Sequence, residues 1–246
     1  MNTAGQATSA DILGYLAGQQ DFLVGLLERM TLAESPSDVP DSQGEIREII
    51  AMELEQRDFA VKRVPGRKSG GMLHARPRGR DRKDPAQMIL GHYDTVWPIG
   101  TLARMPFECD GEIVRGPGVY DMKGGVVQAL MAIDAVRHFE LKPSVTPHVF
   151  LNSDEEIGSR ESRRYIEKLA PGMDRVFVLE PSLGPAGKLK TTRKGIGRFT
   201  ITVSGEAAHA GLDPGAGASA ILELSHVIQE LFALNDLDRG ITVNVG

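Results

Sequence analysis

Residues 147–158, PHVFLNSDEEIG, decide the fold, because an apolar run typical of a buried strand leads directly into polar and acidic residues. The same order occurs on either side along the chain. Residues 88–90, MIL, lead into His92, and residues 175–179, RVFVL, lead into Glu180. Strands that end in polar residues and alternate with helices are typical of an α/β fold with a largely parallel sheet.

Helical patterns and two further strands surround these three segments. Helices are predicted over residues 11–30, 121–136 and 159–169, the first two because apolar residues recur there at helical spacing. Residues 59–64 and 72–75 are short strand-like runs. Ligands of parallel sheets gather beyond the carboxyl ends of the strands, so we expect a functional site at that edge.

The helix that precedes these strands carries a capping signature. Ser42 lies three residues before Glu45, the spacing at which a serine and a glutamate satisfy each other's backbone N–H groups. Apolar residues follow at helical positions up to about Gln56. We therefore predict that Ser42 is the N-cap of this helix.

The sequence pattern changes after residue 187, and we therefore predict two domains, residues 1–187 and 188–246. The second part combines an alternating strand pattern at residues 199–203, an amphipathic helix at residues 218–234 and the start of a strand at residues 242–245. This order predicts a smaller α+β domain. Because the sequence stops within its last predicted strand, we expect that domain to be truncated at its C-terminus.

Composition and charge exclude several classes of protein. A net charge of −5 argues against a nucleic-acid-binding surface. The single cysteine, Cys109, excludes an internal disulfide and a cysteine-rich zinc site, so a bound metal would need histidine and carboxylate ligands. The N-terminus lacks the pattern of a secretory signal, and no window reaches the roughly 18 uncharged apolar residues of a membrane span. We predict a cytoplasmic protein with no membrane partner.

An ordered set of histidine and acidic residues carries the functional prediction. The set is His92, Asp94, Asp121, Glu155, Glu156 and Glu180. Taken singly these motifs are weak, because His-x-Asp is usually a surface or capping pair and Asp-Glu-Glu a solvated helix start. Together, at strand ends, they offer metal ligands and a general base. The sequence therefore predicts a metallohydrolase, for which a pair of metal ions is a standard device.

The residue types suggest how two metals would be held. Asp121 is the natural bridge, because a carboxylate can place one oxygen on each metal. His92 would bind one metal through a ring nitrogen, and Asp94 could accept the other ring N–H and so orient the ring. Glu180 would supply a further oxygen ligand.

Two neighbouring glutamates and one distant histidine complete the candidate residues. Glu155 and Glu156 are adjacent and therefore point in different directions, so one can bind a metal while the other acts as the general base. His209 lies in a loop rich in glycine and alanine, GEAAHAG (205–211), where its ring could approach another surface closely. We therefore expect His209 to have a functional role.

At these residues the sequence resembles the M20 family of co-catalytic metallopeptidases, and within it the glutamate carboxypeptidase (carboxypeptidase G2-like) branch. The resemblance covers most of the chain from about residue 40 onward. It rests on five blocks: GHYDTVWPIGTL (91–102), GPGVYDMKGG (116–125), LNSDEEIGS (151–159), VLEPS (178–182) and AAHAG (207–211).

The resemblance implies two zinc ions, for which Co²⁺ or Mn²⁺ could substitute. His92, Asp121 and Glu180 would bind one ion, and Glu156 would bind the other together with Asp121. It also implies a cis peptide bond after Asp121. Chains of this family have a final histidine ligand after the lid domain, and no residue of this sequence can match it.

The resemblance also implies roles for the residues that do not bind metal. Glu155 would be the general base and Asp94 would orient His92. His209 would reach from a lid domain into the active site of a neighbouring subunit and polarise the scissile carbonyl, which implies a homodimer.

Three functions are compatible with these residues. The first is a dizinc carboxypeptidase that removes a C-terminal residue such as glutamate from a small peptide or N-acyl amino acid, which Trp97 to Gly100 favour. The second is an N-acyl amino acid deacylase on the same scaffold. The third is an inactive fragment, because the chain as given lacks the final histidine ligand.

Overall fold

The computed structural model describes residues 7–81, 83–184 and 186–246. The chain divides into two compact units, Met1–Leu189 and Lys190–Gly246. Within the described ranges, no helix is both long enough and apolar enough to cross a bilayer.

The described part of the first unit contains a central sheet of five strands and a small hairpin of two. In chain order the strands are β1 (Phe59–Val64), β2 (Met72–Pro77), β3 (Ala86–His92), β4 (Glu108–Cys109), β5 (Val114–Arg115), β6 (Thr146–Asn152) and β7 (Arg175–Val178). The sheet has the order β1-β2-β6-β3-β7, and β4 pairs with β5. All five strand segments predicted for the first unit are present, within a few residues at each end.

Strand direction confirms the predicted largely parallel sheet. β3 runs parallel to both β6 and β7, whereas β2 runs antiparallel to β1 and β6. Among the described strands of this sheet, four of the five therefore point the same way. His92 lies opposite Asn152, and Leu90 lies opposite Val178, so the carboxyl ends of β3, β6 and β7 meet at one edge.

Helices cover both faces of this sheet. They are α1 (Ser9–Ala17), α2 (Gln20–Leu32), α3 (Gly44–Gln56), α4 (Gly124–His138) and α5 (Arg163–Leu169). Side chains of α2, α3 and α4 form the main core with Val149 and Leu151, whereas Phe150 points to the opposite face and packs near α5. Each such fully buried apolar side chain contributes about 1.5–3 kcal/mol, so this packing fixes the sheet edge that carries the site.

The N-terminal helices differ from the prediction in two places. Residues 11–30 are not one helix, because α1 ends at Ala17 and α2 begins at Gln20. The predicted capping box at Ser42 is wrong. Pro40–Gln43 form a 3₁₀ turn, in which the Ser42 hydroxyl donates to the Val39 carbonyl, and the helix begins only at Gly44.

The second unit contains the predicted amphipathic helix, α6 (Ala220–Ala233), which is capped by the Ser219 hydroxyl accepting from the Leu222 N–H. The strands predicted at residues 199–203 and 242–245 do not form within the part of the chain described. Backbone pairing there is limited to isolated bridges, Glu206 to Ala218 and Asp236 to Ile241. An alternating segment becomes a strand only where a neighbour completes the hydrogen-bond ladder, and these segments have no such neighbour in this unit.

Candidate functional site

Three chain segments bring together the histidine and two of the carboxylates predicted as metal ligands. His92 is the last residue of β3, and Glu180 follows two residues after the end of β7. Asp121 lies in a π-helical turn, Val119–Lys123, where its backbone is not helical and the Asp121–Met122 peptide bond is cis. The parallel register of β3 and β7 therefore places His92 and Glu180 at the same edge, and this turn adds Asp121.

The donor atoms of this group are spaced as a metal ion requires. His92 Nε2 lies 3.2 Å from Asp121 Oδ1 and 3.5 Å from Glu180 Oε1. One ligand atom from each of the three residues lies within 4.8 Å of the others. Two ligands that are each about 2.1 Å from a tetrahedral zinc ion lie roughly 3.4 Å apart, so one nitrogen and two carboxylate oxygens fit a divalent cation.

Glu155 lies beside this group, and Glu156 lies outside it. Glu155 Oε2 is 3.9 Å from His92 Nε2, and its side chain is 46% exposed, so a substrate could reach it. Glu156 is not part of the three-residue donor group found among the described residues. Its assignment as a ligand of a second metal stays a prediction.

Asp94 is fully buried and accepts hydrogen bonds from several other residues of the site. Its Oδ2 accepts from the Ser37 hydroxyl at 2.6 Å and from the Glu156 N–H at 3.2 Å, and its Oδ1 accepts from the Glu155 N–H at 3.2 Å. His92 Nδ1 lies 2.9 Å from the Asp94 carbonyl oxygen and 3.4 Å from Oδ1. A proton on Nδ1 satisfies these acceptors, so Nε2 is the ring nitrogen that faces the donor group and that would exchange its proton for a metal ion.

The hydrogen bonds that Asp94 accepts from other parts of the site could not be predicted from the sequence. Sequence reasoning assigned it only to His92, through its side chain. The structure adds contacts to the backbone N–H groups of both glutamates and to Ser37, which lies 57 residues earlier in the chain. No local pattern marks Ser37, because its partner is adjacent only in the folded chain.

Lys123 is a second supporting residue that the sequence analysis did not identify. Its side chain is buried, and Nζ donates to the carbonyl oxygens of Met30 at 2.9 Å and Ala33 at 3.2 Å. Burial lowers the pKa of Lys123 to about 7. These bonds fasten the end of α2 to the turn that carries Asp121, and the only sequence signal was its place inside the block GPGVYDMKGG.

Gly125 allows α4 to approach the segment that carries Glu180. A Cβ atom at this position would lie 2.0 Å from the Leu179 carbonyl oxygen, far inside van der Waals contact. The first turn of α4 thus packs directly against the backbone that precedes Glu180. No side chain other than hydrogen fits this contact.

The pKa values of the site reflect burial first and neighbouring carboxylates second. Burial raises the pKa of Glu155, and it raises that of Glu156 to about 7. Burial alone would lower the pKa of His92, but its hydrogen bonds with Asp121, Asp94 and Glu180 outweigh burial and raise it to about 12. Such a site favours positive charge, which a divalent cation would supply.

His209 lies in the second unit, on an exposed loop, and its own geometry fixes its tautomer. Its Nδ1 accepts hydrogen bonds from the N–H groups of Gly211 and Leu212, both at 3.1 Å. A ring nitrogen that accepts carries no proton, so the neutral ring is protonated at Nε2. Nε2 is therefore a hydrogen-bond donor, as polarisation of a carbonyl oxygen would require.

Comparison with known proteins identifies one family model and several relatives. The model of Peptidase family M20/M25/M40 matches residues 88–243. The chain is 28% identical over 228 residues to carboxypeptidase G2 of Pseudomonas sp. (strain RS-16), covering 92% of this chain and 54% of the relative. It is 28% identical over 188 residues to succinyl-diaminopimelate desuccinylase of Xylella fastidiosa (strain M23), covering 72% of this chain and 48% of the relative.

A solved structure supports the fold. The di-peptidase Dug1p from Saccharomyces cerevisiae superimposes with a TM-score of 0.62 at 16% sequence identity, covering 95% of this chain and 56% of that one. At that identity the likeness establishes architecture alone. The chain spans about half the length of the two relatives, 54% and 48% respectively.

Proposed function

This chain belongs to Peptidase family M20/M25/M40, and we propose that it carries the catalytic centre of a dizinc carboxypeptidase that releases a C-terminal residue such as glutamate. The predicted family is thereby confirmed. The observation that carries the proposal is the donor group of His92, Asp121 and Glu180 at one sheet edge, with Glu155 beside it. The similarity to carboxypeptidase G2 over 92% of the chain supports this substrate class.

The donor group of His92, Asp121 and Glu180 suits one of the metals that the family implies. His92, Asp121 and Glu180 would hold one divalent ion, and Glu156 would join Asp121 in holding a second. We propose zinc for both, with Co²⁺ or Mn²⁺ as substitutes, because imidazole and carboxylate ligands accept all three. When bound, such ions lower the pKa of water and polarise a carbonyl group.

Glu155 is proposed as the general base. Burial raises the pKa of its carboxyl group, which moves it towards the value at which a base works best near neutral pH. It would take a proton from the attacking water and return it to the leaving amine as the amide bond breaks. Asp94 positions this group, because it accepts hydrogen bonds from the backbone of both glutamates while orienting His92.

His209 is proposed as the donor that stabilises the developing oxyanion in the active site of a second copy of the chain. Its protonated Nε2 supports this role. A homodimer through the second unit would supply the residue, and apolar side chains of α6 are exposed there, including Ile221, Leu222 and Phe232. The homodimer and the cytoplasmic location both stay predictions.

A deacylase is the second candidate, because the chain is similar to a succinyl-diaminopimelate desuccinylase over 72% of its length. Both reactions break an amide bond and need the same metal and base residues. They differ in the acyl group and in the amine that leaves. The two proposals therefore separate on substrate preference rather than on the metal centre.

Hydrolysis of benzoyl-glycyl-glutamate, at its glycyl-glutamate peptide bond, and of N-succinyl-leucine by the zinc-loaded protein tests both candidates. Preference for the first supports the carboxypeptidase, and preference for the second supports the deacylase. Glu155→Gln is expected to slow the preferred reaction by about 10²–10⁴-fold while zinc content is unchanged. Glu167→Gln, an exposed glutamate of α5, is the matched control and should leave the rate unaltered.

Absence of hydrolysis of both substrates by zinc-loaded protein would contradict catalysis by this chain. It would support the third expectation, a metal-binding fragment without activity. An unchanged rate in Glu155→Gln would contradict the assignment of the base.

A further inference from the structure

A cleft of about 410 Å³ opens between two loops of the first unit. We name it the cationic cleft. One wall is the loop between β1 and β2, and the other is the segment that leads from β6 into α5. Its lining includes Arg67, Lys68, Ser69, Arg160, Glu161 and Arg164.

The two walls of the cationic cleft are fastened to each other by one carboxylate. Glu161 accepts from the Arg67 N–H at 2.7 Å, the Lys68 N–H at 3.1 Å and the Ser69 hydroxyl at 2.9 Å. Because two of these three donors are backbone groups, the side chains of Arg67 and Lys68 are left for other contacts. The cleft is therefore built in advance, and a ligand would not have to order it.

Positive charge exceeds negative charge in the cationic cleft, because four cationic side chains line it beside two carboxylates, Asp154 and Glu161. Among the described residues, the side chains of Arg67, Lys68 and Arg160 form no ion pair, and Arg164 donates to the Tyr165 hydroxyl. The two carboxylates of the lining are already engaged by backbone and hydroxyl donors, including the Glu161 N–H that Asp154 accepts at 2.7 Å. Although the whole chain has a net charge of −5, the local positive charge of this cleft attracts anions.

The cationic cleft and the proposed catalytic centre share one segment of the chain. Asp154 and Ile157 contribute to its lining, and they bracket Glu155 and Glu156 in the sequence. A ligand seated in the cleft would thus lie next to the segment that carries the proposed base.

We propose that the cationic cleft binds the carboxylate groups of an acidic peptide at a distance from the bond that is cleaved. Guanidinium groups pair with carboxylates through two parallel hydrogen bonds, and three of the four cations are arginines. The assignment as a substrate subsite rests on the proposed function, whereas anion binding by the cleft does not. Phosphate shares this chemistry, so the experiment includes it as a separate arm.

Equilibrium binding of triglutamate, measured by isothermal titration calorimetry, tests the inference. The protein is first freed of metal with the uncharged chelator 1,10-phenanthroline, so that neither turnover nor metal binding contributes. The double variant Arg67→Gln/Arg160→Gln is expected to bind triglutamate about tenfold more weakly. The control Lys62→Gln/Arg78→Gln removes one cation from β1 and one from the residue after β2, both outside the lining of the cleft, and should bind within about twofold of the parent.

A third variant separates a built cleft from diffuse attraction. Glu161→Ala makes the cleft more positive but removes the carboxylate that joins its walls, so the inference predicts weaker binding of triglutamate, with thermal melting as the check on folding. Tighter binding by Glu161→Ala, or equal losses in both double variants, would overturn the inference. Inorganic phosphate bound as tightly as triglutamate would overturn the choice of ligand.

Failure of this inference can be told apart from failure of the proposed function. A chain that binds zinc but not triglutamate contradicts only the cationic cleft. A chain that binds triglutamate but no zinc contradicts the hydrolase and the role of the cleft as a substrate subsite, but not anion binding by the cleft.

Discussion

Gly125→Ala tests whether the contact between α4 and the segment after β7 positions a metal ligand. The added Cβ would lie 2.0 Å from the Leu179 carbonyl oxygen, whereas ordinary contact begins at 3.4 Å. One of the two backbone segments must therefore move by about 1.4 Å. Leu179 is held to β3 by a long hydrogen bond of 3.4 Å from its N–H to Leu90, so its segment is the more easily displaced.

A shift of this size has a calculable effect on metal binding. Glu180 follows Leu179 directly, and its Oε1 lies 3.5 Å from His92 Nε2. Ligand distances in metal sites tolerate deviations of only about 0.2 Å, so displacement of Glu180 by even half of the required movement would weaken its bond. Loss of correct ligand support typically reduces metal affinity by about 10–100-fold, which is the expected change.

Competition with a chromogenic zinc chelator measures the affinity of Gly125→Ala directly. Thermal unfolding is expected to show a loss of about 1–3 kcal/mol from overpacking. Gly25→Ala is the matched control, because a Cβ at Gly25 of α2 meets no atom within 4 Å. It should keep its zinc affinity and gain up to about 1 kcal/mol of stability. Parental zinc affinity in Gly125→Ala would refute the reasoning.

Three further predictions follow from buried polar groups. Asp94→Asn removes the charge that orients the site and should lower zinc affinity about 10–100-fold, as measured by the same competition. The pKa of Lys123 is lowered to about 7 in the folded chain, so between about pH 7 and 10.5 this side chain is protonated mainly in the unfolded chain, and its contribution to the free energy of unfolding rises with pH. In urea unfolding of metal-free protein, the stability of the parent relative to Lys123→Met should grow by about 2 kcal/mol between pH 7 and 9. A difference that stays constant over this range would contradict the prediction. Arg57 pairs with Glu53 at 2.7 Å and with Asp134 at 2.5 Å, so Arg57→Met should lower the free energy of unfolding in urea by about 3 kcal/mol with zinc content unchanged. A loss near zero would show that these ion pairs do not contribute to stability.

The sheet and part of its functional edge could be predicted because they depend on local runs of residues. Residues 147–151 are apolar and end at polar residues, and the structure places β6 there from Thr146 to Asn152. The same logic located His92 and Glu180 at the ends of β3 and β7. Parallel strands then bring their carboxyl ends together without further information.

Contacts between distant parts of the chain were beyond sequence reasoning. The hydrogen bond from Ser37 to Asp94 and the bonds of Lys123 to the end of α2 join residues separated by 57 to 93 positions. Their spacing has no period, so no pattern marks them. The cationic cleft is similar, because Arg67 and Glu161 are 94 positions apart in the sequence and meet only in the folded chain.

The sequence-based predictions were wrong where a local pattern was overridden by a neighbouring residue or lacked a tertiary partner. Ser42 had the spacing of a capping residue, but Pro40 starts a 3₁₀ turn that includes it and delays the helix to Gly44. Residues 199–203 alternate as a strand does, yet no neighbouring strand completes a ladder in the described part of the second unit. Local preference decides the structure only where tertiary pairing agrees with it.

The metal content of the chain tests the central claim most directly, measured by elemental mass spectrometry after dialysis of zinc-loaded protein. The parent chain and Asp121→Asn are compared, with Asp174→Asn as a control at an exposed carboxylate. A metal centre at these residues predicts at least one zinc ion per chain in the parent and in Asp174→Asn, and almost none in Asp121→Asn. Zinc near zero in all three proteins, or equal zinc in all three, would contradict a metal centre built on His92, Asp121 and Glu180.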